Sequence, residues 1–414
     1  MNSVYYRIVA FNQGRLPEMV KLKFEGMAEN VYRFYRGTCH LFYEDFCKAD
    51  HIPVSPLTWI CGDLHLENYG SYKGDNRLAY FDLNDFDEGL LAPCMWEVAR
   101  MVTSIFIAFD NLGIKEDKAI RTAELFLKSY SARLANGKAI SIDPRTASGI
   151  VCTFLTKADE RKQRELVKSL TFKKKHKLSL LINERHLLIN DKKLKKELTQ
   201  FIDHWIKGSI AAEHDFEVVD AVFRIAGTGS IGVKRYMFLL KSYNVKNKFL
   251  LLDMKQAMRS SVQPYLDIKQ PDWQNEAIRV VQIKNRMQNV SPALLGTGTF
   301  KGDSYVIQEM QPTEDRINFE LIKNRYDDIR LVIEDMALLT ASSQLRSSGR
   351  QGSAIADKLI EFGSSDHWQG SILDYSKQYS GKVKDDYQQY LLAYRAESQE
   401  LKMKKNVSSL TLGK

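Results

Sequence analysis

Residues 59–100 read WICGDLHLENYGSYKGDNRLAYFDLNDFDEGLLAPCMWEVAR. Asp63, His65 and Asn68 form a D-x-H-x-x-N cluster, and Asp82 follows Asn68 by 14 residues, directly after the apolar run LAYF. In-line phosphoryl transfer needs a carboxylate to take the proton of the attacking hydroxyl. It also needs oxygen ligands that hold Mg²⁺ against the transferred phosphate. A short loop with Asp and Asn five apart, followed by an Asp at a strand end, supplies both. Asp63 is the candidate base, and Asn68 and Asp82 are candidate metal ligands. Asp85 and Asp87, in NDFDE, are alternative ligands. His65 is a catalytic-loop candidate, with a structural hydrogen bond as its competing role. An acidic turn with an incidental Asn is the competing reading of the whole cluster.

Around this stretch the chain reads as blocks of different texture, which points to an α+β fold and not to a regular βαβ series. Residues 17–50 carry apolar residues at helical spacing, and Pro53 and Pro56 break the pattern. TWIC and LAYFDL read as short strands, and MWEVARMVTSIFIAF as a buried helix. Residues 111–215 read as mostly helical and basic. From Val218 the texture turns to strands, with a helix over 272–289 and a hairpin over ALLGTGTF and SYVIQEM. Helix returns from residue 314. The predicted organisation is therefore 1–110 (first part of a catalytic-loop lobe), 111–215 (basic helical insertion), 216–312 (β-rich lobe) and 313–414 (helical remainder of the catalytic lobe).

The second constellation is GTGSIG, with Gly227, Gly229, Ser230 and Gly232. Alone, G-x-G-x-x-G fits a dinucleotide-binding turn, a phosphate-covering hairpin or an ordinary hairpin. Asp253 lies at a distance that suits the dinucleotide reading. That reading also requires a helix after Gly232. Here VKRYMFLLKS is β-branched and aromatic, and the turn YNVKNK leads to another strand. A Gly-rich β-hairpin is predicted, able to approach phosphates with its backbone N–H groups. Lys255 follows on the next strand, where a kinase keeps the Lys that pairs with the α/β-phosphates. Glu276, in the next helix, is the acid available to orient it. The backbone near Glu309 and Met310 is the candidate edge for an adenine ring. The step of five from Asp63 to Asn68 also matches a kinase catalytic loop.

Composition narrows the classes further. The chain has 414 residues and a net charge of +9, and that length suits two or more cores. Residues 157–197 hold 14 Lys/Arg against 6 Asp/Glu, a net +8. This is a solvated basic face or a patch for an anionic partner, without the aromatic interleaving of a base-stacking platform. The longest apolar stretch, Met101 to Phe109, is about half the ~20 residues of a membrane helix. The N-terminus has no apolar signal core. Five cysteines form no C-x-x-C pair, which argues against a disulfide framework or zinc site and for a reducing cytoplasm.

As an ordered set, several of these segments resemble an uncharacterised bacterial family, domain of unknown function 2252. They are FYRG at 34–37, GDLHLENYG at 62–70, FDLNDFDE at 81–88, P-x-x-W-E at 93–97, RIAGTGSIG at 224–232, LLDMKQA at 251–257, RVVQIKNRMQ at 279–288 and LLG at 294–296. The similarity covers roughly residues 25–400. The cluster at 62–97 also looks like the aminoglycoside and choline kinase-like phosphotransferases. The resemblance implies a protein-kinase-like two-lobed fold with ATP and Mg²⁺ as cofactors. This chain departs from the family pattern at five positions. Glu97 stands for Asp, Gln256 and Gln282 for Glu, and Gln344 and Gln351 for His and Asp.

The expectation is an ATP- and Mg²⁺-dependent phosphotransferase acting on a small-molecule hydroxyl or, second, on a protein. The catalytic loop precedes the Gly-rich loop and Lys255, so a shared site implies circularly permuted lobes. Two alternatives stand beside it. One is a nucleotide-sensing pseudokinase, favoured by the Gln departures. The other is a metallophosphoesterase, which needs G-N-H and G-H-x-H histidines that the chain lacks.

Overall fold

The computed structural model describes residues 3–174, 177–208, 215–312 and 316–411. It is a mixed α+β structure. Four N-terminal helices open it: α1 (Val4–Phe11), α2 (Pro17–Met27), α3 (Val31–Gly37) and α4 (Cys39–Phe46). Four short strands follow, β1 (Leu57–Ile60), β2 (Tyr69–Lys73), β3 (Ala79–Leu83) and β4 (Leu90–Pro93), pairing as two antiparallel ribbons, β1 with β4 and β2 with β3. Then come α5 (Met95–Asn111), α6 (Glu116–Asn136), α7 (Gly149–Glu160) and α8 (Gln163–Ser169).

The segment predicted as a helical insertion is not one unit. It contains the hairpin β5 (Thr171–Lys174) and β6 (Lys177–Leu180), the short strand β7 (His186–Leu187) and helix α9 (Lys192–Lys207). α6 packs with α5 in the helical core, while β7 pairs with the main sheet. Its strands run only two to four residues, too short for a period-2 pattern to emerge from a basic sequence. Lys175 and His176 of the FKKKHK run lie outside the described residues.

β8 (Phe216–Arg224), β9 (Arg235–Ser242) and β10 (Phe249–Gln256) form the meander around the Gly-rich turn. Helix α10 (Glu276–Met287) and the hairpin β11 (Gly296–Phe300) and β12 (Asp303–Glu309) complete this half. The six strands are ordered β11-β12-β10-β9-β8-β7, antiparallel throughout. Period-2 alternation divides the faces of β10. Leu250, Leu252 and Met254 face α9, meeting Leu198, Ile202 and Ile206 in one core. Leu251, Asp253 and Lys255 alternate to the other face, where Leu251 joins α8 in a small core and Asp253 and Lys255 line a cleft. α11 (Phe319–Ile322), α12 (Tyr326–Arg346), α13 (Ala356–Gly363) and α14 (Gln369–Thr411) return the chain to the helical core, with α12 and α13 on α6, and α14 on α5.

α5 is the platform of that core. Met101, Val102 and Ile105 are fully buried, and truncating Met101 or Ile105 to Ala in such packing costs about 2–5 kcal/mol. Among the described residues no helix is long and apolar enough to cross a membrane. All five cysteines are free thiols.

Candidate functional site

Helix α5 fixes the 61–66 loop from three positions on one face, spaced i, i+3 and i+7. Glu97 Oε2 accepts from the Cys61 amide at 2.9 Å. Arg100, fully buried, ion-pairs with Asp63 through Nη2 at 2.5 Å and Nε at 2.8 Å. Ser104 Oγ accepts from the Leu66 amide at 3.2 Å. Arg100 also lies over the Tyr35 ring at 4.3 Å. Gly62 has φ +83°, and a Cβ there would overlap the Glu88 carbonyl, so the turn into Asp63 requires glycine. A short 3₁₀ turn over Leu66–Asn68 follows. His65 caps it, its Nδ1 accepting from the Glu67 amide at 3.0 Å. Burial and the nearby guanidiniums push the His65 imidazole well below its usual range. In this position it serves as the cap of the turn.

Asn68 binds backbone. Its Nδ2 donates to Asp63 O (2.9 Å) and Asp85 O (3.2 Å), and its Oδ1 accepts from the Asp85 amide at 2.8 Å. It ties the two loops together, and its amide oxygen is already engaged. Asp82 does not join the site either. It is buried at the end of β3, paired with Arg346 of α12 at 3.2 Å, with Oδ1 accepting from the Leu83 amide. Burial raises its carboxyl to about 6. Asp85 carries a carboxylate into the cleft, three residues further on. Its side chain is 47% exposed, and it lines the cleft with Asp87.

Lys255 meets these two acids. Its ammonium lies 3.3 Å from Asp85 Oδ2 and closer still to Asp87 Oδ2. Although half-exposed, the Asp85 carboxyl loses water to the cleft wall, which alone would raise it. Lys255, the Asp87 amide and Arg235 outweigh it and hold Asp85 at about 2. Asp87 is raised, by burial and then by Asp85. Glu276 is not the partner of Lys255. It sits in the first turn of α10 and pairs with Arg279 at 2.6 Å. Arg279 in turn donates to Asp87 O and Met258 O, so Glu276 steadies the acidic turn indirectly. One turn and a half on, Lys284 reaches the cleft, bonded to Gln308 at 3.0 Å and lowered by burial to about 8.

The Gly-rich segment is a turn between the antiparallel β8 and β9 and opens no helix, so Asp253 has no dinucleotide role. Its carboxylate instead holds Arg224 and Arg235, each at 2.6 Å. Ser230 Oγ closes the turn on Ala226 O, and Gly227 has φ +75°. The turn carbonyls are gripped from outside. Arg15 donates to Gly229 O (2.5 Å) and Ile231 O (2.9 Å), Lys23 donates to Gly229 O (3.1 Å), and the Leu16 amide donates to Gly232 O (2.9 Å). Among the described residues the amides of Gly227 to Ile231 have no protein acceptor. The turn covers the base candidate: a Cβ on Gly229 would stand 3.3 Å from Arg36 O and 3.8 Å from Asp63 Oδ2.

The strand exit does not offer the expected edge. The Glu309 amide donates to Ala293 O and the Met310 amide to Leu251 O, while the Glu309 carboxylate pairs with Arg77. These bonds extend the sheet ladder past β12. Gln308, Gln311 and Pro312 line the cleft instead. The whole cleft measures about 1330 Å³. It brings together Gly227, Ser230, Lys255 and Asp85 with Asp87, whereas Asp63 is not among the lining residues and lies beneath the turn at Gly229. Arg15, Lys23, Arg100 and Lys284 went unflagged in the sequence because their partners are remote in the chain. Lys23 alone left a trace, a Lys beside Phe24 on the buried face of α2.

Among the described residues no three His, Cys, Asp or Glu side chains form a metal cage. Mg²⁺ bound through one or two carboxylates and substrate phosphates requires none.

The departures from the family pattern lie off the cleft and partly meet one another. Gln344 donates to Glu97 at 2.6 Å and accepts from Tyr130. Gln282 and Gln351 both accept from Arg286. Gln256 accepts from the Lys234 amide at 3.1 Å.

The chain belongs to the family described as an uncharacterized protein conserved in bacteria (DUF2252), whose profile matches residues 15–393. Comparison with curated proteins and with solved structures gives no match.

Proposed function

We propose that this protein is an ATP- and Mg²⁺-dependent phosphotransferase with a circularly permuted, kinase-like two-lobed fold, acting on a small-molecule hydroxyl. One observation carries the reading. Lys255, beyond the Gly-rich hairpin, ion-pairs with Asp85 and Asp87 of a loop block 170 residues earlier, across one cleft. A strand–Gly turn–strand–strand order ending in a cleft-facing Lys, followed by a helix, is the arrangement a kinase uses on its phosphates.

The residues fit the cofactors in kind. The amides of 227–231, which have no protein acceptor among the described residues, and the ammonium of Lys255 suit phosphate oxygens. Asp85, with Asp87 beside it, suits Mg²⁺, which supplies charge neutralisation on the phosphates. Asn68 positions Asp85 through its backbone. Asp63, oriented by Arg100, takes the proton of the acceptor hydroxyl. That oxygen bonds to the transferred phosphorus as the bond to the leaving diphosphate oxygen breaks. The Gln departures lie away from the cleft, which weighs against a sensor without turnover. His65 serves as a buried cap, which weighs against a metallophosphoesterase.

The test is a thermal-shift series with nucleotide, with and without Mg²⁺, followed by ATP-consumption assays. A Mg²⁺-dependent shift, with turnover that Asp63→Ala abolishes, supports the reading. Absence of any nucleotide shift in the wild-type chain contradicts it.

A further inference from the structure

The FYRG motif at 34–37 has no part in the chemistry assigned above. Its Arg36 closes α3, is only 9% exposed and lines the cleft. Its Nη1 pairs with Glu67, while its buried Nε has no acceptor among the described residues. Arg316 also lines the cleft and reaches the same Glu67 oxygen at 3.8 Å, with its side chain 40% exposed. Two guanidiniums therefore share the Glu67 carboxylate, and Asp85 is the other acid that acts on Arg316. Burial lowers Arg316, and the charge of Arg36 lowers it further. Leaving a buried donor unmatched costs about 1–3 kcal/mol. An oxyanion accepting from both planar forks would satisfy that donor.

The position says which oxyanion. The backbone of Arg36 and the Asp63 carboxylate flank the same point of the Gly-rich turn, at Gly229. Lys255 and the turn amides already account for the nucleotide phosphates in the proposed function. We infer that Arg36 and Arg316 hold an anionic group of the acceptor, so the acceptor is a small molecule bearing both a hydroxyl and a phosphate monoester or carboxylate. A cationic acceptor would meet like charge there. This inference rests on the phosphotransferase reading for the word acceptor, and on the arginine pair for the anion.

The experiment uses the full chain and calorimetric titration with inorganic phosphate and, separately, acetate, at saturating non-hydrolysable ATP analogue with Mg²⁺. The wild type should bind at least one of the two anions, and the one preferred identifies the oxyanion. Arg316→Gln and Arg36→Lys should each weaken that binding about 10-fold or more, with analogue affinity unchanged. Arg316→Gln, partly exposed, keeps the test decisive if Arg36→Lys fails to fold. Anion binding unaltered in both variants overturns the inference, as does no anion binding by the wild type. Parallel loss of analogue binding also overturns it, by assigning the pair to the nucleotide. A wild type that binds phosphate but not the analogue contradicts the phosphotransferase reading and leaves the arginine pair standing.

Discussion

The two halves of the cleft are held in different ways. On the 59–100 side, functional groups are fixed by buried side chains: Asp63 by Arg100, the Asp85 backbone by Asn68, and the Cys61 amide by Glu97. On the 216–309 side, the Gly-rich turn is gripped by its carbonyls while its amides at 227–231 have no acceptor among the described residues, and Lys255 reaches across to the opposite acids. On the proposed reading, the first half holds the groups for chemistry and the second exchanges protein contacts for phosphate contacts. Preorganised donors and acceptors act on the transition state, whereas exchangeable ones act on binding. The comparison therefore predicts that mutations on the two sides separate kcat from KM.

The largest effect is expected at Asp63. Removing a general base costs about 10²–10⁴-fold in rate, so Asp63→Ala should cut kcat by that order and leave nucleotide affinity within a few-fold. Equal losses in both would break the comparison. Lys255→Met comes next. Losing one charge-assisted contact costs about 1.5–3 kcal/mol, or about 10–100-fold in nucleotide affinity, read by titration with the analogue. Part of this loss should be offset, because Asp85 and Asp87 are freed to repel each other in the apo state.

Glu97 sharpens the comparison through pH. Burial raises its carboxyl to about 7 from an ordinary 4.5. A folded pKa above the unfolded one means stability that is present below pH ~4.5 and lost as pH rises to ~7. The loss is on the order of 3 kcal/mol at 1.36 kcal/mol per unit. Asp82, raised by burial to about 6, adds in the same direction. Chemical denaturation from pH 4.5 to 8 should show declining stability, and Glu97→Gln should flatten much of that decline. An unchanged slope would mean the loop platform is not strained by this charge.

The smallest effect concerns the family pattern. Gln282→Glu with Gln351→Asp should move stability by about 0.5 kcal/mol or less and leave turnover unchanged, since both are exposed and accept from Arg286 outside the cleft lining. A large gain in activity would show that the departures reach the cleft after all.

Much of this was legible from local chemistry. WIC, LAYF and the Gly-rich hairpin announced their strands, and MWEVARMVTSIFIAF its buried helix. The step from Asp63 to Asn68 located the loop, and Lys255 fell where its strand suggested. What escaped depended on contacts between remote segments. Spacing alone chose Asp82, but the turn after β3 buries that residue against Arg346 and presents Asp85 three residues later. Helix position chose Glu276 for Lys255, but the acids of the turn are nearer, and Glu276 is taken by Arg279. The amides of Glu309 and Met310 looked free because the sequence cannot show that the sheet ladder continues past them. Asn68 looked like a metal ligand for the same reason: the Asp85 backbone that engages its amide oxygen lies on another loop.

The central claim is that two blocks distant in sequence build one phosphate-handling site. A structure with a non-hydrolysable ATP analogue and Mg²⁺ tests it most directly. The account predicts phosphates between Lys255, the amides of 227–231 and a metal on Asp85, with Asp63 facing the terminal phosphate. An analogue bound outside this cleft, or phosphates touching one block alone, would contradict it.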